Sequence, residues 1–231
     1  MVLLEIEQKF TILPSLVQAF RLNKGTPRFT SIKSLGTTSF HDSYFEKKDS
    51  EILSKNGIWI RRRDGTWEAK RRPLTLPTTG INTGVNANLN GKNGDATREI
   101  YNRTVFEEIQ CHQQIQSLIN KYIPNTPDSK RNFGLDLFCH FGTKRETYLV
   151  DDKFSVMLDE TTFGHATGEV EVEVDVDISE DKGKEVAIEK AHADIGEFLD
   201  RYSWFFRAGG DEKPKGKLTA YFDAFPPAWE K

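Results

Sequence analysis

Apolar and polar residues alternate along much of this chain, and alternation marks strands with one face buried and the other polar. LEIEQKF at 4–10 opens the pattern, with Glu5, Glu7 and Lys9 on one face. SFHDSYFE at 39–46 and IWIRRRDG at 58–65 follow. TWEAKRR at 66–72 is joined to the latter across Asp64-Gly65, a strong hairpin signal. REIYNR at 98–103 reads as a strand, and FGTKRETYLV at 141–150 pairs with DKFSVMLDETTF at 152–163 across Asp151-Asp152. The clearest period of two is ATGEVEVEVDVDI at 166–178, where Glu169, Glu171 and Glu173 oppose Val170, Val172 and Val174.

Three segments carry the helical period instead. PSLVQAFRLNK predicts a short helix. VFEEIQCHQQIQSLINKYI at 105–123 predicts a longer one, with Val105, Ile109, Ile115, Leu118 and Ile119 near one stripe. Residues 182–202 predict a third, with Val186, Ile188, Ala191, Ile195 and Leu199 inward. Residues 73–96 are rich in Gly, Asn, Thr and Pro without period, the mark of a long loop or flexible insertion. Hairpins with helices between them predict a mainly antiparallel α+β fold of about eight strands, one domain over 1–231.

Composition narrows the function classes. The 231 residues are 37% hydrophobic and 29% charged, with 16 Phe, which argues against disorder. A net charge of only −3 gives no bulk attraction to nucleic acid or anionic lipid, so any charge used in function is local. Cys111 and Cys139 form no CxxC or secretory framework and read as ordinary structural thiols in a reducing compartment. The opening MVLLEIEQKF resembles neither a signal peptide nor an Arg-rich transit peptide, and no apolar run approaches the ~20 residues of a membrane helix. A cytoplasmic protein is expected, a monomer with no membrane or nucleic-acid partner. The sequence contains no GxxxxGK[ST], HExxH or GxSxG, and its five His show no metal spacing.

Taken strand by strand, each charged face reads as solvated surface. The alternative is an eight-stranded antiparallel closed β-barrel, a tunnel with a charged lumen and helices packed outside over the apolar faces. Its interior would hold Glu5, Glu7, Glu99, Asp159, Glu169 and Glu171 against Lys9, Arg61, Arg63, Lys70 and Arg145. Six acids suit a hard divalent cation such as Mg²⁺ or Mn²⁺. Guanidinium forks suit phosphate oxygens, so a lumen with both sets calls for a metal–polyphosphate ligand. Periodicity alone leaves the facing open.

The same residues, in the same order, resemble the CYTH family of triphosphate tunnel metalloenzymes over roughly residues 3–222. Glu5-Ile6-Glu7-Gln8-Lys9 is similar to the family's ExExK opening. HDSYF supplies Asp42 and Tyr44, WIRRR supplies Trp59, Arg61 and Arg63, and WEAK supplies Lys70. REI, TKR, MLDETTFGHATGEVEVEV and GKL supply Glu99, Arg145, Asp159 with Glu169 and Glu171, and Lys217. W-x-R-R-R followed by W-E-x-K and F-G-x-A-x-G-E-V-E is similar to the thiamine triphosphate hydrolases within it. The resemblance implies Mg²⁺-dependent hydrolysis of thiamine triphosphate, with inorganic tripolyphosphate as the alternative substrate and polyphosphate binding without turnover as the alternative function.

It also implies roles. Glu5, Glu7, Asp159, Glu169 and Glu171 would face metal, and Glu99 would bind metal or orient a base. Lys9, Arg61, Arg63, Arg145 and Lys217 would bind the triphosphate. Lys70 and Tyr44 would handle the proton near the attacking water. Trp59 would pack on the thiamine ring, a cation–π pairing, unless it is a core or barrel-rim aromatic. One departure stands out: Met157 occupies a position where the animal-type members tend to carry a second acid, and a thioether is no ligand for a hard metal.

Overall fold

A computed structural model describes residues 2–72, 103–124, 129–176, 181–210 and 213–226. The strands among them are β1 (Val2–Phe10), β2 (Ile32–Glu46), β3 (Ile58–Arg63), β4 (Thr66–Arg71), β5 (Arg103–Ile109), β6 (Asp136–Val150), β7 (Phe154–Thr161) and β8 (Ala166–Val176). They close into a ring in the order β1-β5-β4-β3-β2-β6-β7-β8, with antiparallel neighbours throughout. The helices are α1 (Pro14–Arg21), α2 (Ile52–Lys55), α3 (His112–Tyr122), α4 (Asp181–Arg201), α5 (Ser203–Phe206) and α6 (Lys217–Ala224). No helix among the described residues is long and apolar enough to cross a membrane.

Register settles the facing that alternation left open. β1 pairs with β8 so that Ile6 meets Val172 and Glu7 meets Glu171, apolar beside apolar and acid beside acid. Leu4, Ile6 and Val170 are buried in one cluster with Phe20 of α1, Ile188, Ala191, Ile195 and Leu199 of α4, and Phe205 and Phe206 of α5. Across the ring, Ile58, Ile60, Ala69 and Ile109 pack with Ile115, Leu118 and Ile119 of α3. The hydrophobic cores therefore lie between the barrel and its helices, and the charged faces turn inward. A slip of one residue would exchange Leu4 and Ile6 for Glu5 and Glu7 beneath α4. Each buried aliphatic side chain contributes about 1.5–3 kcal/mol, so the slipped register loses.

The two predicted hairpins form. Asp64 and Gly65 both take positive φ, 45° and 93°, as a two-residue turn matched to strand twist requires. Asp151 and Asp152 do the same at 50° and 54°. The Asp151 carboxylate accepts from the Thr30 N–H at 2.8 Å and the Tyr202 hydroxyl at 2.7 Å, which ties this turn to α1's return loop and to the end of α4.

Three expectations are corrected. The helix expected over 105–123 divides into β5 and α3, which begins only at His112. Val105 and Ile109 are four apart, a spacing that one face of either a helix or a strand satisfies. Pairing decides it, because Val105 meets Ile6 of β1 and Ile109 meets Ala69 of β4, and β5 closes the ring. Val186 was expected inward but is 64% exposed, and the buried stripe of α4 runs through Ile188, Ala191, Ile195 and Leu199. β2 and β6 each start several residues earlier than their alternation suggested, at Ile32 and Asp136. The insertion at 73–96 and the strand expected at 98–103, except Arg103, lie outside the described residues.

The cysteines are both free, with Cys111 exposed and Cys139 buried. Burial, reinforced by the Asp42 carboxylate, pushes the Cys139 thiol up to about 12. At pH 8 its thiolate fraction is on the order of 10⁻⁴, so iodoacetamide should label Cys111 and spare Cys139 until denaturant is added. Equal labelling of both in the native protein, read by mass spectrometry, would contradict this placement.

Candidate active site

Inward-facing positions of the strands converge on a cavity of about 890 Å³. β1 contributes Glu5, Glu7 and Lys9, β2 Tyr44, and β3 Trp59, Arg61 and Arg63. β4 supplies Lys70, β6 Arg145, β8 Glu169 and Glu171, and Lys217 reaches in from the first turn of α6. Twelve of the residues singled out in the sequence thus share one cavity. Asp159 lies beneath its wall, fully buried, and Glu99 lies outside the described residues.

The charges are paired. Lys9 bonds Glu7 and lies 3.5 Å from Glu169, while Lys70 bonds Glu5 and lies 3.0 Å from Glu108. Arg61 contacts Glu68 at 2.6 Å and Glu108 at 3.5 Å. Arg63 donates both arms of its fork to Asp42, each at 2.8 Å. Arg145 does the same to Asp159 at 2.7 Å and reaches Glu169 at 3.0 Å. Lys217 joins them, 2.5 Å from Asp159 and 3.3 Å from Glu169. Such buried pairs fix geometry more than they stabilise, since desolvation offsets most of the attraction.

Protonation follows from these partners. Burial raises the Glu169 carboxyl, but Lys217, Lys9 and Arg145 outweigh it and hold the group well below the usual range. Glu7 and Glu108 are lowered in the same way, burial opposing Lys9 in the first case and Lys70 in the second. Burial works against the charge on Lys70, yet Glu5 and Glu7 raise it, so Lys70 stays an ammonium. Glu171 is the exception. Burial and then the adjacent, hydrogen-bonded Glu5 push it up to about 9.

These acids suit a divalent cation by chemistry. Glu5, Glu7, Glu169 and Glu171 are hard oxygen donors from adjacent strands, and the Glu5–Glu171 pair holds a proton between two carboxyls, a place that a cation can take. Lysines hold the other oxygens, and no three His, Cys, Asp or Glu side chains among the described residues are gathered tightly enough to ligate an ion unaided. Met157 does face the cavity, with its sulfur 3.1 Å from Arg145 Nη1. It fills space and accepts a weak hydrogen bond where a carboxylate would have given a further oxygen donor.

Sequence reasoning missed Thr104, Phe106 and Glu108 because β5 was read as helix. Read as a strand, 103–109 places all three on one face, and all three line the cavity. Phe106 meets the Trp59 ring edge-on, 5.5 Å between centroids. Arg72 also lines the cavity, and its guanidinium lies over Trp59, 5.6 Å from the ring centroid. Alternation from Lys70 could have found it, but no motif points to it.

No protein-family model and no curated protein matches the sequence. Solved structures similar to it include a candidate adenylate cyclase from Vibrio parahaemolyticus, 11% identical with a TM-score of 0.49 over 95% of this chain and 97% of that one. The PH1819 protein of Pyrococcus horikoshii is 15% identical, with a TM-score of 0.48 over 95% and 99%. A candidate adenylyl cyclase from Hippeastrum, described as having a dominant triphosphatase activity, is 16% identical, with a TM-score of 0.47 over 98% and 99%. Likeness at this level carries no information about substrate, which the tunnel residues alone address.

Proposed function

We propose that this protein is a divalent-metal-dependent hydrolase of a triphosphate chain, and that thiamine triphosphate, split to the diphosphate and phosphate, is its substrate. The observation that carries the proposal is the single cavity in which Arg61, Arg63, Lys70, Arg145 and Lys217 face the acids Glu5, Glu7, Glu169 and Glu171. Phosphoryl transfer needs positioning and charge neutralisation more than covalent help. Asp42 and Asp159 take the Nε and Nη2 edges of Arg63 and Arg145 and fix both guanidinium planes, so phosphate oxygens meet the remaining Nη N–H groups. Arg61 exchanges Glu68 and Glu108 for the ligand.

A cation held by Glu5, Glu7, Glu169 and Glu171, with Mg²⁺ or Mn²⁺ the suitable ions, would neutralise phosphate charge and acidify a bound water. In the reaction, the water oxygen bonds the terminal phosphorus as the bond to the bridging oxygen breaks. Lys70, held as an ammonium, polarises that water rather than taking its proton, and the Tyr44 hydroxyl, which lines the same cavity, relays the proton to solvent.

Phosphate release with Mg²⁺ from thiamine triphosphate, tripolyphosphate, ATP and GTP tests the proposal. Release from at least one is expected, and its absence from all would leave a polyphosphate-binding module. One observation favours a second reading, in which inorganic tripolyphosphate is the substrate: the Trp59 face is already covered by Arg72. Trp59→Ala separates the two. A thiamine enzyme should show KM for thiamine triphosphate raised about tenfold more than KM for tripolyphosphate. Equal effects on both would sink the thiamine assignment.

A further inference from the structure

Phe40 stands two positions from Asp42 on β2, and so on the inward face that Asp42 shares with Arg63, its register partner on β3. On the other side of β2, the pairing with β6 sets Thr38 against Arg145 and Phe40 against Thr143. The strand that carries Phe40 therefore lies between the strands that carry these two arginines. Its ring is 7% exposed, and both guanidiniums lie over it. The central carbon of Arg63 is 4.0 Å from the ring centroid and that of Arg145 is 5.6 Å from it. These are the two arginines whose Nε and Nη2 edges are taken by Asp42 and Asp159.

A carboxylate fixes a guanidinium by its edge, and the plane can still tilt about that edge. A ring face set against the plane removes that freedom. An aliphatic side chain in the same place would desolvate both cations and return nothing, whereas the negative face of the ring offsets part of the cost. Resting on the triphosphate reading above, we propose that Phe40 is a positioning residue whose ring sets the spacing and tilt of Arg63 and Arg145, so that one phosphate chain meets both at once. The gain is pre-organisation. Without the ring each arginine keeps its carboxylate, but a ligand that spans the two must order them as it binds. The effect falls on the phosphate chain, so thiamine triphosphate and tripolyphosphate should weaken by the same factor.

The test is calorimetric titration of both ligands, without added metal so that turnover does not intervene, into wild-type protein and four variants. Both dissociation constants should rise about tenfold in Phe40→Leu and in Phe40→Met, which fill the space without a π face. Phe40→Tyr keeps the ring and should bind within about twofold of wild type. Phe45→Leu is the control, because Phe45 is 5% exposed and has Arg62 5.8 Å from its centroid, but it packs in the outer core with α3. It should lower the melting temperature as Phe40→Leu does and leave both dissociation constants unchanged. Undiminished binding in Phe40→Leu and Phe40→Met, or an equal loss in Phe45→Leu, overturns the role of Phe40 and leaves the triphosphate reading standing. No binding of either ligand to the wild type overturns both. The expected loss of affinity with no phosphate release in Mg²⁺ supports Phe40 and refutes only the hydrolytic reading.

Discussion

Asp159→Ala should lower the free energy of unfolding by about 3–5 kcal/mol, the cost of removing one partner from a buried ion pair. The Asp159 side chain is wholly buried and accepts both arms of Arg145 at 2.7 Å and the Lys217 ammonium at 2.5 Å. Its removal leaves two cations sharing Glu169 alone, at 3.0 and 3.3 Å. Lys153–Asp194 is the control, a pair of the same 2.5 Å length with its lysine side chain 44% exposed. Asp194→Ala should cost no more than about 1 kcal/mol, because water screens that pair. Urea unfolding in EDTA measures both. The partners of Asp159 are side chains of this protein, so its loss should be as large in EDTA as with Mg²⁺. A loss seen only with Mg²⁺ would instead make Asp159 a metal ligand, the role the family resemblance implies.

The strands with strict alternation were legible in the sequence, and so were the Asp64-Gly65 and Asp151-Asp152 turns. Their signals are local: period two, and residues that tolerate positive φ. Facing was not legible in any one strand, because Glu5 and Glu7 look the same whether they meet water or a lumen. It follows from closure, and closure depends on β5, whose Val105 and Ile109 satisfy both periods and are assigned only by pairing with Ile6 and Ala69. Glu108 was lost from the candidate site with that strand. The residues that hold the forks in place were less visible still. Asp42 and Asp159 carry no mark that separates a buttress from a ligand.

Glu5→Gln and Glu7→Gln should each reduce Mg²⁺-dependent phosphate release by about 10²–10³-fold while the protein stays folded. Glutamine keeps the shape and one acceptor oxygen but loses the charge that a hard cation requires. Folding should tolerate the change. In Glu7→Gln, Lys9 retains Glu169 at 3.5 Å and Thr104 can still donate to the amide oxygen; in Glu5→Gln, Lys70 retains Glu108 at 3.0 Å. Each replaced contact is an ion pair turned into an ammonium–amide hydrogen bond, a loss of about 1–2 kcal/mol, small beside the loss expected for Asp159→Ala. Glu173→Gln is the control: Glu173 is the register partner of Glu5 on the same face of β8 but is exposed, and phosphate release should not change. A readout beyond turnover ties the effect to the cation. In the intact protein Mg²⁺ should raise the melting temperature, because an ion that binds only the folded state stabilises it. That rise should shrink in both site variants and persist in Glu173→Gln. Full turnover in Glu5→Gln and Glu7→Gln would remove these two residues from the metal site. Lost turnover with an undiminished Mg²⁺ shift would move their role from holding the cation to placing Lys70 and Lys9.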